Sequence, residues 1–421
     1  MARGPESGDT KKPGILGRMN LGEIFRDGLL VNSMWIVLNA LALSGFGFFF
    51  WIINARLFSS HQLGLASTLI AASELLVTLS LLGFDLAMIR YYPNSPDKRE
   101  IINSCFTLSG IFAVLSSALF VLFAKFRIPE LSVMWNFRWG SIFIIFVTFY
   151  LFFRLQSSVL IAQKRAKYVF YKTILFSVLK LLFPFTLVIL GALGIISAWA
   201  IGLIASVIIG VIFIKMIPRV HISKKTIKKM FSFSAVNYIS TFLALAPESL
   251  LPLLITSRLG TSETAYFYIS WNISSILFIV PISISRTLLA EESNRLHKNM
   301  KKSIKFIAML LLPSVIIAVA ISKYLLLVFG VEYSENAHRL LQVLIVSSIP
   351  FAINTVYVCV QNVRHNLKAV LVVHLMLAAC IFGLSSLLLS RGIIYVGVSW
   401  LVSHLLMACG LLILVSVNRR G

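Results

Sequence analysis

Five charged side chains stand inside otherwise apolar stretches of this sequence: Glu74, Asp85, Arg154, Lys180 and Glu248. A charge at the centre of a bilayer costs about 2.5–3.5 kcal/mol even on mild insertion scales, so each needs a partner, a water-filled cavity or a reach to the interface. At 1.5 Å of rise per residue, Arg154 lies about 12 Å from one end of its apolar stretch and Lys180 about 18 Å along the next. Two cations at similar depth on consecutive helices are what a phosphate or diphosphate group requires once it leaves bulk water, the guanidinium being able to bind it bidentately. The competing reading is snorkelling, in which the long side chain lifts its charge to the interface.

Glu74 and Asp85 are 11 residues apart, close to three helical turns, so on one continuous helix they face the same way. Together with Glu248 they either neutralise the intramembrane cations or hold a coupling ion, Na⁺ or H⁺. Pro184 follows Lys180 by four residues and Pro252 follows Glu248 by four. Each proline removes the hydrogen bond to the charged residue's own carbonyl, which predicts kinks there.

The elements that hold these residues are set by composition. With 58% hydrophobic and 13% charged residues and a mean hydropathy of +0.92, the chain has too little polar surface for a water-facing fold of 421 residues. Apolar runs of about 20 residues, the length that crosses roughly 30 Å of hydrocarbon, recur throughout. Twelve spans are predicted, at 33–55, 63–90, 101–124, 138–162, 168–190, 193–216, 232–255, 264–289, 304–328, 338–361, 367–389 and 393–417. These runs far exceed barrel strands, and lipid satisfies no open strand edge, so the fold class is an all-α polytopic membrane protein. The first 32 residues are too polar for a cleavable signal peptide, which makes the first span an uncleaved anchor. Residues 15–30 read either as a short interfacial helix or as an unstructured tail.

The net charge of +23 does not point to nucleic acid, because its placement follows topology. Of 38 Lys and Arg, 28 fall on one face of the twelve-span arrangement and 8 on the other, so both termini are expected in the cytoplasm of a cell with this chain in its inner or plasma membrane. Attraction to anionic lipid of the bilayer accounts for the rest. Cys105, Cys359, Cys380 and Cys409 lie in or at the ends of spans without metal-ligand spacing, and read as core thiols. His374 and His404 are lone intramembrane histidines, read as packed, neutral groups in preference to a proton relay. No cofactor or metal is implied.

The basic stretch 218–231 divides the spans six and six, giving a tail at 1–32, bundles at 33–217 and 232–417, and a C-terminus at 418–421. Both halves carry an Arg-Leu and a Ser-rich turn after their first span, INARLFSSHQLG at 53–64 and ITSRLGTSETA at 255–265, and an arginine near the end of their second, Arg90 and Arg286. An even number of spans per half gives both the same orientation, so a pseudo-two-fold axis along the membrane normal relates them and a substrate path lies between. The alternative is that such turns are generic to membrane loops. Arg90 and Arg286 are then interface anchors, or else they flank the inner mouth of the path, with Arg56 and Arg258 at its outer rim or in ordinary loop structure.

Three segments carry a family resemblance: ARLFSSHQLGLAS at 55–67, GFDLAMIRYYP at 83–93, and the basic linker into FSFSAVNYIS at 231–240. They are similar to the oligosaccharide flippases, the polysaccharide-biosynthesis branch of the multidrug/oligosaccharidyl-lipid/polysaccharide exporter superfamily. Where those proteins often have a proline after the linker, this chain has Ala235-Val236. The resemblance implies a two-bundle exporter, resembling the multidrug extruders, that turns a polyprenyl-phosphate- or polyprenyl-diphosphate-linked oligosaccharide from the cytoplasmic to the outer leaflet through a cationic cavity. Contact with glycan-assembly enzymes is a further expectation. A cation-coupled multidrug antiporter of the same superfamily is the alternative. A membrane glycosyltransferase or polymerase is the less favoured one, since no DxD motif occurs and every loop between the spans is short; an ATPase motor is not visible either, as no GxxxxGK[ST] loop occurs.

Overall fold

A computed structural model describes residues 28–288 and 296–417, with the side chains of 28–30, 133, 232–237 and 286–301 left aside. The tail, apart from its last residues, and the end of the chain beyond 417 lie outside these limits. Among the described residues there are helices and no strands.

Twelve helical segments have the length and apolar character to cross a membrane. In chain order, α1 is Gly28–Leu57, α2 Ser60–Leu81, α3 Phe84–Tyr91, α4 Lys98–Arg127, α5 Phe137–Ala162, α6 Ala166–Leu187 and α7 Ala192–Ile214. After the linker come α8 (Lys224–Leu259), α9 (Thr261–Leu288), α10 (Leu296–Ala320), α11 (Ser322–Leu327), α12 (Val331–Asn336), α13 (His338–Val346), α14 (Ser348–Val363), α15 (Leu367–Leu388) and α16 (Ile394–Val417). Large apolar side chains point outward along them, among them Leu119, Phe126, Met309 and Ile316. That is the surface of a chain solvated by lipid.

Two expected spans are broken. The second stops at Leu81, because Leu82 (φ 51°) and Gly83 (φ 74°) both take the left-handed conformation that ends a helix. Asp85 therefore sits on the separate helix α3, and its alignment with Glu74 along one helix is lost. The ninth ends at Ala320 and restarts as α11. The tenth runs as one span over His338–Val363 with a local turn at Ser347, which still donates its N–H to Val343 O at 3.0 Å, while Pro350 has no N–H to offer the carbonyl of Val346. Ser347 and Ser348 turn their hydroxyls back to Leu344 O and Ile345 O, each at 2.6 Å. By contrast α6 and α8 continue through Pro184 and Pro252. The linker is also shorter than expected: Ser223 caps Thr226 N, and 224–231 are already the first turns of α8.

The packing repeats along the chain. The first span lies against the fifth (α1 on α6) as the seventh lies against the eleventh (α8 on α15). In the same way α6 on α7 corresponds to α15 on α16, α2 on α4 to α9 on α10, α2 on α5 to α9 on α14, and α5 on α7 to α14 on α16. Helices α2, α3 and α4 meet α8, and α2 also meets α9. These contacts join the two sets of six.

Close helix contacts depend on missing side chains. On α7, a Cβ at Gly202 would stand 2.8 Å from Phe176 O and 3.6 Å from Lys180 N of α6. Gly202→Leu is expected to lower stability by about 1–3 kcal/mol, the usual range for overpacking. Thermal unfolding of the purified protein in detergent checks this, and an unchanged midpoint contradicts it.

Candidate functional site

At one end of the molecule the two sets of helices touch through small and hydroxylated residues. A Cβ at Gly64 of α2 would stand 1.7 Å from the backbone oxygen of Thr261 in α9, so no other residue fits. Beside it, Thr68 Oγ1 lies 2.6 Å from Thr256 Oγ1, which lies 2.7 Å from Thr264 Oγ1, and all three threonines are buried. Ser60 donates to Ser262 at 3.3 Å. Arg56 donates to the carbonyls of Val328 (3.0 Å) and Leu327 (2.7 Å) at the end of α11, satisfying groups that a helix terminus leaves open. The expected rim arginine thus serves as a tie between the two halves. Arg258 is exposed, and no hydrogen bond to it is present among the described residues.

About 15 Å further along α2 from Gly64, and about 12 Å back along α8 from Thr256, stand Glu74 and Glu248. They come from opposite halves at matching depth, and the charge of Glu74 acts on Glu248. Glu74, Glu248 and Arg154 are all accessible. Tyr150 of α5 donates to Glu74 at 3.2 Å. Arg154, one turn further on, and Lys180 of α6 are the cations whose fields reach Glu74. Trp51 of α1 and Tyr268 of α9 pack at 4.6 Å between ring centres, and Tyr268 feels the charges of Glu74, Tyr150 and Glu248. Helices α1, α2, α5, α6, α8 and α9 therefore converge on one accessible polar space.

Lys180 is held differently from Arg154. It is 3% exposed, and its ammonium lies 4.7 Å from the ring centre of Phe50, 4.9 Å from Phe176 and 4.4 Å from Trp199. Such faces attract a cation by their quadrupoles. Among the described residues Lys180 closes no hydrogen bond, so its charge stays available to Glu74 or to an entering anion.

Asp85 lies outside this space. It faces Tyr238 of α8, whose hydroxyl donates at 2.8 Å to Leu79 O, a carbonyl near the break that ends α2. Arg90, at the end of α3, lines a cleft with Lys229 of α8. The side chain of Arg286, its expected counterpart, lies outside the described residues. His374 is paired with Ser240 Oγ at 3.0 Å. His404 accepts Asn354 and packs on Trp400 and Phe351. Both are satisfied groups.

Sequence reasoning missed Lys172, which was counted with the interfacial cations. It is fully buried on α6 and donates at 2.5 Å to the carbonyl of Phe153, the residue before Arg154, while lying over the Phe153 ring. Its position six residues into an apolar helix was the available signal. Tyr150, inside an aromatic run, gave none.

The fold, with twelve helices apolar and long enough to cross a bilayer among the described residues, defines a multi-pass membrane protein. The sequence profile of the polysaccharide biosynthesis protein family matches residues 53–338, and the chain belongs to that family. No curated protein sequence matches it. Among solved structures, the chain is similar to the lipid II flippase MurJ in an inward closed conformation, with a TM-score of 0.73 at 13% identity over 91% of this chain and 87% of that one. A multidrug MATE transporter of the MOP superfamily in an inward-facing conformation gives 0.59 at 13% identity, over 90% and 92%. A MOP superfamily transporter from Pyrococcus furiosus gives 0.61 at 15%, over 91% and 93%. At such identities the likeness is one of fold.

The Gly64 contact yields a direct test. Gly64→Ala is expected to separate α2 from α9, because backbone atoms cannot yield as a side chain would. Spin labels at positions 59 and 258, with native cysteines replaced, should report a longer distance in the variant. Superimposable distance distributions would show that this end closes by other means.

Proposed function

We propose that the protein is a flippase that moves a polyprenyl-phosphate- or polyprenyl-diphosphate-linked oligosaccharide from the cytoplasmic to the outer leaflet by alternating access, for cell-surface polysaccharide or glycoprotein assembly. The observation that carries this reading is that exposed Arg154 and aromatic-caged Lys180 both act on Glu74, an exposed carboxylate between the two sets of helices. A headgroup entering there exchanges water for a guanidinium and an aromatic-caged ammonium, while the prenyl tail stays in lipid. Membership of the polysaccharide biosynthesis family and likeness in fold to a lipid II flippase support the same class of cargo.

The space is mixed in charge, not purely cationic. Glu74 and Glu248 share it, so charge pairing is the resting role we assign to Glu74, and coupling to H⁺ or Na⁺ a further role for the pair. The domain reading that fits is two six-helix bundles working as rocking bodies, with the Gly64–Thr261 contact as the outer gate and both termini in the cytoplasm.

The two carboxylates also favour a second reading, a cation-coupled antiporter for cationic drugs. Reconstituted liposomes separate the two. The first predicts movement of a fluorescent lipid-linked oligosaccharide, lowered about tenfold or more by Arg154→Ala or Lys180→Ala, since charge-assisted hydrogen bonds contribute about 1.5–3 kcal/mol. Insertion and helix content should be unchanged. Unaltered flipping in both variants defeats the reading, and efflux of a cationic dye in place of flipping supports the antiporter.

A further inference from the structure

At the basic end of the molecule, where the linker enters α8, a cleft of about 240 Å³ opens between the two sets of helices. One wall is the end of α3 with Arg90 and Tyr91, the turn Asn94-Ser95-Pro96, and Ile101 of α4; the other is Thr226, Lys229 and Met230 of α8. Its volume equals that of roughly eight waters at 30 Å³ each, enough for a phosphate and its first substituent.

The polar and apolar parts of the cleft are arranged on different sides. Arg90 Cζ lies 5.9 Å and Lys229 Nζ 5.1 Å from the centre of the Tyr91 ring, so the two cations, one from each half, flank a single aromatic face. Ile101 and Met230 are buried and supply an apolar floor. Of the carboxylates at the start of α4, Asp97 accepts from Glu100 N, and Glu100 accepts from Thr226 Oγ1 and is acted on by His221 and Lys225. The level is also informative. Helix α4 has 30 residues and is about 45 Å long, well over the roughly 30 Å hydrocarbon core. Its first turns, which floor the cleft, therefore stand among headgroups, where tyrosines and basic residues gather.

We propose that this cleft binds a phosphate group carried by a lipid, with Arg90 and Lys229 as its two cationic ligands and the apolar floor taking the first carbons of the lipid stem. A guanidinium and an ammonium from opposite walls suit a phosphate that accepts hydrogen bonds from both sides. Because the walls belong to different halves, an occupied cleft holds α8 against α3 and α4 and stabilises the arrangement described above. The lipid is either a bilayer phospholipid or the cargo on its way in; only the second source rests on the flippase reading.

Native mass spectrometry of the purified full chain tests this with three probes: phosphatidylglycerol, a polyprenyl diphosphate and a diacylglycerol. Both phosphate lipids, or the polyprenyl diphosphate alone, should bind, and the diacylglycerol should not. Arg90→Gln combined with Lys229→Gln should weaken the bound phosphate lipid about tenfold or more. The charge-preserving pair Arg90→Lys and Lys229→Arg should keep most of the binding, which separates loss of ligand from loss of fold. Phosphatidylglycerol binding and its loss in the glutamine pair are read without any flipping, so failure of the flippase reading is distinguishable from failure of this one. Wild-type binding by the glutamine pair, or equal retention of diacylglycerol, overturns the proposal.

Discussion

Charges set at mid-depth in hydrocarbon are tolerable only if they face one another, and the relation of Glu74 to Arg154 and Lys180 imposes that condition on the whole bundle. Glu74 belongs to α2, Arg154 to α5 and Lys180 to α6, so these helices must turn their charged sides inward, and their remaining faces are left for apolar packing and lipid. Glu248 extends the constraint to α8 in the other half. Lys172 obeys the same rule with a different partner: lacking a carboxylate, it takes the Phe153 carbonyl and ring.

What joins the halves is of another kind. The contact between α2 and α9 has almost no side-chain volume at Gly64, and the threonines beside it hold each other through single hydroxyls. Between surfaces that lipid solvates equally well, no hydrophobic force drives association, and packing with a few hydrogen bonds decides. Such a seam closes tightly yet loses little on opening, since two of its three threonine hydroxyls also hold a nearby carbonyl of their own half, Thr68 with Gly64 O and Thr264 with Gly260 O. At the opposite end the Leu82–Gly83 break frees carbonyls of α2, and Tyr238 of the other half caps one of them. The two ends are thus held by separate, modest sets of interactions.

Span number and position were legible because a membrane leaves the backbone few alternatives, and run length alone registers them. The breaks were not. Left-handed Leu82 has no compositional signature, and α3 continues the apolar pattern beyond it, so the 11-residue spacing of Glu74 and Asp85 suggested one face where there are two helices. Among candidate residues, Glu74, Arg154, Lys180 and Glu248 were visible as charges in apolar runs. The aromatic cage was not, because Phe50, Phe176 and Trp199 come from three helices whose rotation no pattern in a nearly uniformly apolar sequence records. The bonds of Arg56 were not visible either, since its carbonyl partners lie about 270 residues away.

The mixed charge of the central space carries a consequence for transport. In the arrangement described, Glu74 is the carboxylate on which the fields of Arg154 and Lys180 act, so an entering phosphate competes with it for both cations. On the flippase reading the competition is useful: a phosphate that takes Arg154 weakens that cation's hold on Glu74, and a proton or a small cation then binds Glu74 more readily. The relation is reciprocal, because whatever neutralises Glu74 frees the same cations for cargo. Cargo and coupling ion would then favour each other through one shared carboxylate, without any longer path through the protein. Lys180 fits this role because aromatic faces attract an ammonium without supplying an opposite charge of their own, so they do not compete with an anion for it.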